Sequence, residues 1–341
     1  MKLIVQIPCL NEAETLPQTV ADIPRHMSGV DEIELLVIDD GSTDRTIEVA
    51  QSVGVEHIVS HPGNKGLAAA FQTGLDTCLQ LGADIIVNTD GDNQYPGRYI
   101  PDLIAPILRG EADMVVADRQ TDKIEHFSPT KRLLQRLGSA IVRYVSDTSV
   151  PDAPSGFRAF SREAALRLNV LTGYTYTLET LIQAGKKKLT VAHIAITTNP
   201  QLRESRLIRN IGMYVTLSAR TIVRLFALYE PLRAFTYISL PFFSLGILLW
   251  IRFLWLLATL GTETQGRFLQ SVVVGGALLI IGFLVFLFGI LADLVATNRR
   301  LHEETLYYLK RLTFDRHDVL SIDNAPERIN PSAISALGKE S

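Results

Sequence analysis

The sequence predicts an α/β protein: a mostly parallel sheet with helices on both faces, followed by amphipathic helices and two membrane-crossing helices. Three observations predict it. Apolar runs of four to six residues alternate with polar helical stretches over roughly the first 200 residues, the pattern of strands buried on both faces. Three of those runs end in charged motifs, Asp39-Asp40, Asp90 with Asp92, and Asp118-Arg119. In open α/β sheets the carboxyl ends of strands are where ligands bind. Beyond residue 230 two apolar stretches follow, each longer than the roughly 20 residues that cross a bilayer.

The elements read in order as follows. "KLIVQIP" is a strand; its apolar run is too short for a secretory signal and leads into Pro8 and Asn11. Glu14 to Met27 reads as a helix and "IELLVIDD" as the second strand. In "GSTDRTIEVAQSVG", Ser42 or Thr43 is expected to cap a helix that closes at Gly54. "EHIVSH" is a short strand, and "GLAAAFQTGLDTCLQLG" a helix ending at Gly82. "ADIIVNTD", a helix from about Arg98 to Arg109, and "ADMVVADR" complete the repeat.

From Leu202 to Arg233 six arginines (Arg203, Arg206, Arg209, Arg220, Arg224, Arg233) face two glutamates, the composition of amphipathic helices on an anionic membrane surface. The spans are expected at about Ala234–Ala258 and Phe268–Ala292, with Arg252 snorkelling outward and Asp293 at the exit. Arginines flank the outer ends of the pair, which by the positive-inside rule puts both the N-terminal domain and the C-terminal tail in the cytoplasm, the hairpin in the cytoplasmic membrane. "LHEETLYYLKRL" reads as a short helix and the last twenty or so residues as disordered. The divisions are 1–201, 202–233, 234–296 and 297–341.

Composition excludes several classes. A net charge of -3 gives no footprint for nucleic acid. Two cysteines, Cys9 and Cys78, form no CxxC, and seven histidines form no HExxH, which excludes a disulfide framework and the usual zinc sites.

The chemistry concentrates in "NTDGDNQYPG". Asp90 and Asp92, with the amide of Gln94, offer the oxygen ligands that Mg2+ or Mn2+ prefers when it shares its coordination with substrate phosphates. Gly91 allows close approach of a phosphate or sugar to the backbone. Asp39 and Asp40 can accept from a base N–H or ribose hydroxyls, and Lys65 stands beside a glycine at a helix start. Taken singly, each of these also reads as a turn or a helix cap.

Taken together and in order, "IPCLNEAETL", "VIDDGSTDRT", "NKGLAAAFQTG", "NTDGDNQYPG", "ADR", "SGFRAF" and "ESRL" resemble the family 2 glycosyltransferases of the GT-A (Rossmann-like) fold. The closer resemblance is to the polyprenyl-phosphate group, dolichyl-phosphate mannose synthases and GtrB-like enzymes, over about residues 3–210. The resemblance implies a nucleoside-diphosphate sugar donor (UDP or GDP), a polyprenyl phosphate acceptor, Mg2+ or Mn2+, and a homo-oligomer, with a tetramer in view. It assigns the nucleotide-sugar pocket to Pro8, Asn11, Glu12, Asp39, Asp40, Lys65 and Asp90. It assigns the metal to Asp92 and Gln94, with Asp90 beside them facing the sugar. Arg119 and Arg158 would meet anionic oxygens of donor or acceptor, and Arg203 and Arg206 the lipid phosphate. Arg206 stands where lysine is usual, which keeps the charge. Asp152 and Glu179 are further acidic candidates near the acceptor.

A single inverting displacement is then expected. Three readings rival this one. A processive polysaccharide synthase should carry QxxRW, but both tryptophans, Trp250 and Trp255, lie in the first span. A sugar nucleotidyltransferase should open on a glycine-rich loop with an arginine, which "IPCLNEAE" lacks. The third is a membrane-anchored, non-catalytic sugar-nucleotide-binding subunit of a flippase or polysaccharide assembly complex.

Overall fold

Strand β1 (Lys2–Cys9) is the spine of the sheet because every residue from Leu3 to Cys9 is buried. A computed structural model of the chain describes residues 1–120, 142–170, 176–200, 220, 223–224, 226–260 and 269–323. The other strands are β2 (Glu32–Asp39), β3 (His57–Ser60), β4 (Ile85–Asn88), β5 (Met114–Asp118), β6 (Arg158–Ser161) and β7 (Val191–Ala195). They form one sheet in the order β3-β2-β1-β4-β6-β5-β7. β1 pairs in parallel with β2 and β4, β2 with β3, and β5 with β7; β6 lies antiparallel between β4 and β5. The mostly parallel α/β sheet is as expected.

The strand period of two divides the core into two layers. Ile4, Leu36, Ile86 and Met114 point to one side, where helix α3 (Leu67–Gln80), α5 (Arg162–Arg167) and α6 (Tyr176–Lys186) bury Phe71, Ala165 and Leu181. Leu3, Val5, Leu35 and Val87 point to the other, against α1 (Leu16–Asp22), α2 (Thr46–Ser52) and α4 (Ile100–Leu108).

Local chemistry adjusts the expected boundaries. The first helix is shorter than Glu14–Met27 because Pro24 follows: the residue before a proline is pushed out of the α region, and Ile23 is extended at ψ 121°. Ser42 and Thr43 do not cap α2. Both are turned to Asn11, and Asp44 Oδ1 instead accepts from the Thr46 N–H at 3.0 Å. The expected span near Phe268–Ala292 and the expected short helix of the tail are one helix of 55 residues, α8 (Leu269–Asp323).

Helix α8 pairs with α7 (Pro231–Leu260), and both are long and apolar enough to cross a membrane. Their seam is built on small residues. Gly275, Gly282 and Gly289, seven apart, receive Trp250, Phe242 and Phe235 of α7. Such residues let membrane helices approach closely. The polar half of α8 then lies against the sheet domain. The Tyr307 hydroxyl is 3.1 Å from both Glu163 oxygens, Lys310 Nζ donates to Asp76 at 2.8 Å, and Glu303 pairs with Lys187 at 3.1 Å. The expected division at 296/297 therefore falls within one continuous helix. Most of the expected interface segment, Arg203 and Arg206 included, and the expected disordered tail lie outside the described residues.

Candidate active site

The carboxyl ends of β1, β2, β4 and β5 lie along one edge of the sheet, and the loops leaving them are stitched to one another. Asn11, at φ 55°, accepts through Oδ1 from the N–H groups of Thr43 (2.7 Å) and Asp44 (3.3 Å). Its own N–H donates to Ser42 Oγ at 2.9 Å. The Glu12 N–H donates to Thr46 Oγ1, and the Thr15 hydroxyl lies 3.0 Å from Glu12 Oε2 and 2.8 Å from the Gly91 carbonyl. A Cβ on Gly91 would meet Cys9 Sγ at 3.1 Å and Glu12 Cγ at 3.3 Å. Glycine is what allows the β4 loop to lie on the β1 loop. Burial, with the charges of Glu12, Asp39 and Asp90, pushes the Cys9 thiol well above its ordinary range, so it is an inert wall rather than a nucleophile.

Pro8 is buried within the β1–β2 ladder opposite Ile38. Asp39 is also buried, and both its oxygens receive the Ser42 N–H, at 3.2 and 3.3 Å. Asp40 is tied to the loop that leaves β3. His61 Nδ1 lies 2.7 Å from Oδ1, which also receives the Lys65 N–H (2.9 Å), while Oδ2 receives the Gly66 N–H (2.8 Å). Its carboxylate orders the turn into α3. The same bonds consume the backbone N–H of Lys65, whose side chain is exposed.

Asp90 and Asp92 follow β4 and are both half-buried. Asp92 Oδ1 accepts from the Gln94 N–H at 3.1 Å, closing a tight turn in which Asn93 takes φ 56°. Gln94 and Asn93 carbonyls receive the backbone and side-chain N–H groups of Asn199, which anchors the loop from below. Asn93 Oδ1 is buried with no hydrogen-bond partner among the described residues. Two carboxylates, an amide and an orphaned amide oxygen make a hard, all-oxygen donor set. Among the described residues no group of three acidic, histidine or cysteine side chains gathers here or elsewhere. That donor set fits a divalent cation that completes its coordination with phosphate and water rather than with a full protein cage.

Arg119 stands beside this loop on a fixed mount. Its Nε and Nη2 donate to Asp152 at 2.7 and 2.9 Å, and its backbone N–H to the same carboxylate at 3.1 Å. Burial works against its charge, but Tyr95, Asp152 and Asp90 outweigh it and hold the guanidinium protonated above its usual range. Asp152, considered as an acidic group near the acceptor, is thus Arg119's counter-ion.

Arg158 is held by internal contacts as well. It is fully buried, and it donates to the carbonyls of Ser155, Thr177 and Ala153 and to Thr180 Oγ1, all at 2.6–2.8 Å. Burial pushes its pKa down to about 10, so it stays charged while joining β6 to α6. Glu179 is likewise buried inside α6, where the Gln183 amide donates to it at 3.3 Å.

The structure adds residues the sequence reading passed over. Gln6 donates to Asn88 Oδ1 at 2.9 Å, and the Asn88 amide donates to the Gly156 carbonyl (2.9 Å) and the Tyr176 hydroxyl (3.0 Å). The Gly156 N–H donates to Tyr95 OH at 3.2 Å. Tyr95 and Tyr176 are both buried, which with the charge of Asp90 raises their phenol pKa values, so they remain neutral, and the Tyr176 hydroxyl donates to the Gly156 carbonyl at 3.3 Å. A Cβ on Gly156 would lie 2.8 Å from Tyr176 OH and 3.3 Å from both Asp90 oxygens. The signal available in sequence was Tyr95 itself, inside the acidic motif.

Comparison with known proteins converges on this half of the chain. Residues 4–168 match the family described as Glycosyl transferase family 2. The UDP-N-acetylglucosamine–dolichyl-phosphate N-acetylglucosaminyltransferase of Methanococcus voltae is 30% identical over 216 residues, 56% of this chain and 83% of that one. The dolichol-phosphate mannosyltransferase of Pyrococcus furiosus is 29% identical over 276 residues, 78% of this chain and 75% of that one. Among solved structures, glucosyl-3-phosphoglycerate synthase from Mycobacterium tuberculosis, in complex with Mn2+, UDP and glucosyl-3-phosphoglycerate, matches with a TM-score of 0.52 at 26% identity, over 66% of this chain and 79% of that one.

Proposed function

The chain belongs to glycosyltransferase family 2 and has its GT-A fold, and from that premise we propose that it transfers a sugar from a nucleoside diphosphate to a polyprenyl phosphate, with inversion, at a membrane surface. The observation that carries this reading is the pairing of the Asp90–Asp92 loop with the ion-paired Arg119 at one edge of the sheet, in a chain with two membrane-length helices. Relatives named for dolichyl- and undecaprenyl-phosphate transfer support the acceptor class, and a fold neighbour holding UDP and Mn2+ supports the donor and metal class.

In this reading Pro8, Asn11, Glu12 and Asp39 wall the nucleotide pocket and Lys65 reaches over its mouth. Asp92, Gln94 and Asp90 would hold Mg2+ or Mn2+, which when bound neutralises charge on the departing diphosphate. A phosphate monoester with a second pKa near 6 is largely ionised at neutral pH, so the acceptor needs orientation more than a base. Arg119, fixed by Asp152, draws that dianion toward the anomeric carbon. Tyr95 and Tyr176, held neutral, keep Asp90 in place and exclude water. Arg203 and Arg206 are proposed, from the sequence motif alone, to meet the lipid phosphate. The sheet domain and the tail face the cytoplasm, and the hairpins bundle into a homo-oligomer.

The test incubates membranes holding the chain with labelled UDP- or GDP-sugars, polyprenyl phosphate and Mg2+ or Mn2+. The expected product is a chloroform-soluble sugar, lost in Asp92→Ala while UDP-free thermal stability is kept. No lipid product with any donor, alongside retained nucleotide-sugar binding, would favour a non-catalytic binding subunit.

A further inference from the structure

Where the hairpin meets the sheet domain, a cavity of about 560 Å³ lies between the turn before α7 and the middle of α8. Its walls include Leu228, Phe235, Phe288, Ala292 and Val295, and Arg299 stands at one end. Its volume is within the roughly 300–1,000 Å³ of ligand sites. The apolar run of α8 ends at Ala296, and Asn298, Arg299 and Arg300 follow, so the cavity sits at the boundary between hydrocarbon and water.

Arg299 is unsatisfied there. Its Nε and Nη1 are buried with no hydrogen-bond partner among the described residues, as are the Tyr229 hydroxyl and Glu303 Oε1. Glu303 lies 3.6 Å from Nε, within an ion pair but beyond a hydrogen bond, and is shared with Lys187. The guanidinium lies 4.1 Å over the Tyr229 ring. Arg233 and Arg300 stand exposed nearby; Arg233 lies 3.5 Å from Glu230, which Lys186 also engages, and Arg300 donates to the Tyr229 carbonyl at 3.5 Å. An apolar slot ending in an arginine edge with idle N–H donors matches an aliphatic chain ending in a phosphate.

We propose that this cavity binds an acidic phospholipid of the surrounding bilayer, one acyl chain against Phe235, Phe288 and Val295 and the phosphate on the Nε–Nη1 edge of Arg299. The site is separate from the reacting acceptor. Glu303 joins Arg299 to Lys187, one residue past the end of α6, whose opposite end, Tyr176, borders the Asp90 loop. Eleven helical residues separate those ends by about 16 Å, too far for a phosphate on Arg299 to reach the donor sugar.

The purified full chain in detergent is titrated with dioleoylphosphatidylglycerol or dioleoylphosphatidylcholine and retained lipid is counted by native mass spectrometry. One phosphatidylglycerol should be retained with at least tenfold preference. Arg299→Gln should remove the preference, Arg299→Lys should keep part of it, and Ala292→Phe, which fills the slot and leaves the charge, should weaken retention. Equal retention of both lipids by the unaltered chain overturns the proposal, with no variant needed. So does displacement of phosphatidylglycerol by equimolar polyprenyl phosphate, which would assign the slot to the acceptor. No sugar transfer is measured, so the outcome is independent of the proposed reaction.

Discussion

Replacing Asp152 by asparagine tests the mount of Arg119 with almost no change of shape. The Asp152 carboxylate, 1% exposed, accepts three N–H groups of Arg119. An amide keeps one oxygen acceptor, loses the charge and presents an NH2 to donors. Breaking a buried ion pair costs about 3–5 kcal/mol. The Arg119 side chain keeps 17% of its surface in water, which argues for the lower end, about 3 kcal/mol. Cys9 and Cys78 supply the assay: both are buried in the sheet domain, and burial pushes both thiols well above their ordinary range. Labelling by a thiol reagent therefore reports opening of that domain alone. At 1.4 kcal/mol per factor of ten, Asp152→Asn should speed labelling about a hundredfold. Arg119→Met with Asp152→Leu should regain most of the protection, because an apolar pair replaces a buried ionic one at little cost, yet transfer no sugar. Labelling within threefold of the unaltered rate in Asp152→Asn would refute the argument that this pair is a structural mount.

Gly156→Ala should reduce turnover at least tenfold with little change in donor affinity, since the new methyl crowds Tyr176 OH and both Asp90 oxygens; initial rates against donor concentration separate the two effects. Burial raises the Asp44 pKa, but hydrogen bonds from the Thr46 hydroxyl and the Ala13 and Thr46 N–H groups outweigh it and leave it below the ordinary value. A depressed folded pKa adds stability above the unfolded value, about 3.9, that is lost as pH falls through the folded one. Thiol protection should accordingly fall in that window, and Asp44→Asn should flatten the fall.

The strands that organise the site were legible because they are apolar on both faces. β1, β2, β4 and β5 each stand out as a run, and the acidic loops follow them directly. What escaped depends on contacts far apart in the chain. β6 is four residues long and owes its antiparallel place to pairing with β4, Arg158 opposite Asn88. The internal bonds of Arg158 and Asp40 were hidden because a motif reports residue type and position, not whether a carbonyl or an N–H elsewhere also bonds the side chain. The bridge from Asn88 to Tyr176 spans 88 residues and has no local signature. Continuity of α8 was hidden because Arg299 and Arg300 look like the end of a span, whereas one is folded over Tyr229 and the other is exposed within an unbroken helix.

That unbroken helix turns the anchor into a ruler. A helix advances 1.5 Å and rotates 100° with each residue. The glycine seam at Gly275, Gly282 and Gly289 and the clasp at Glu303, Tyr307 and Lys310 are read off the same 55-residue spiral. Distance of the candidate site from the seam and its compass bearing about the helix are therefore one variable, not two. A single residue gained or lost between seam and clasp would swing the mouth by more than a quarter turn while lifting it by little more than the length of a covalent bond.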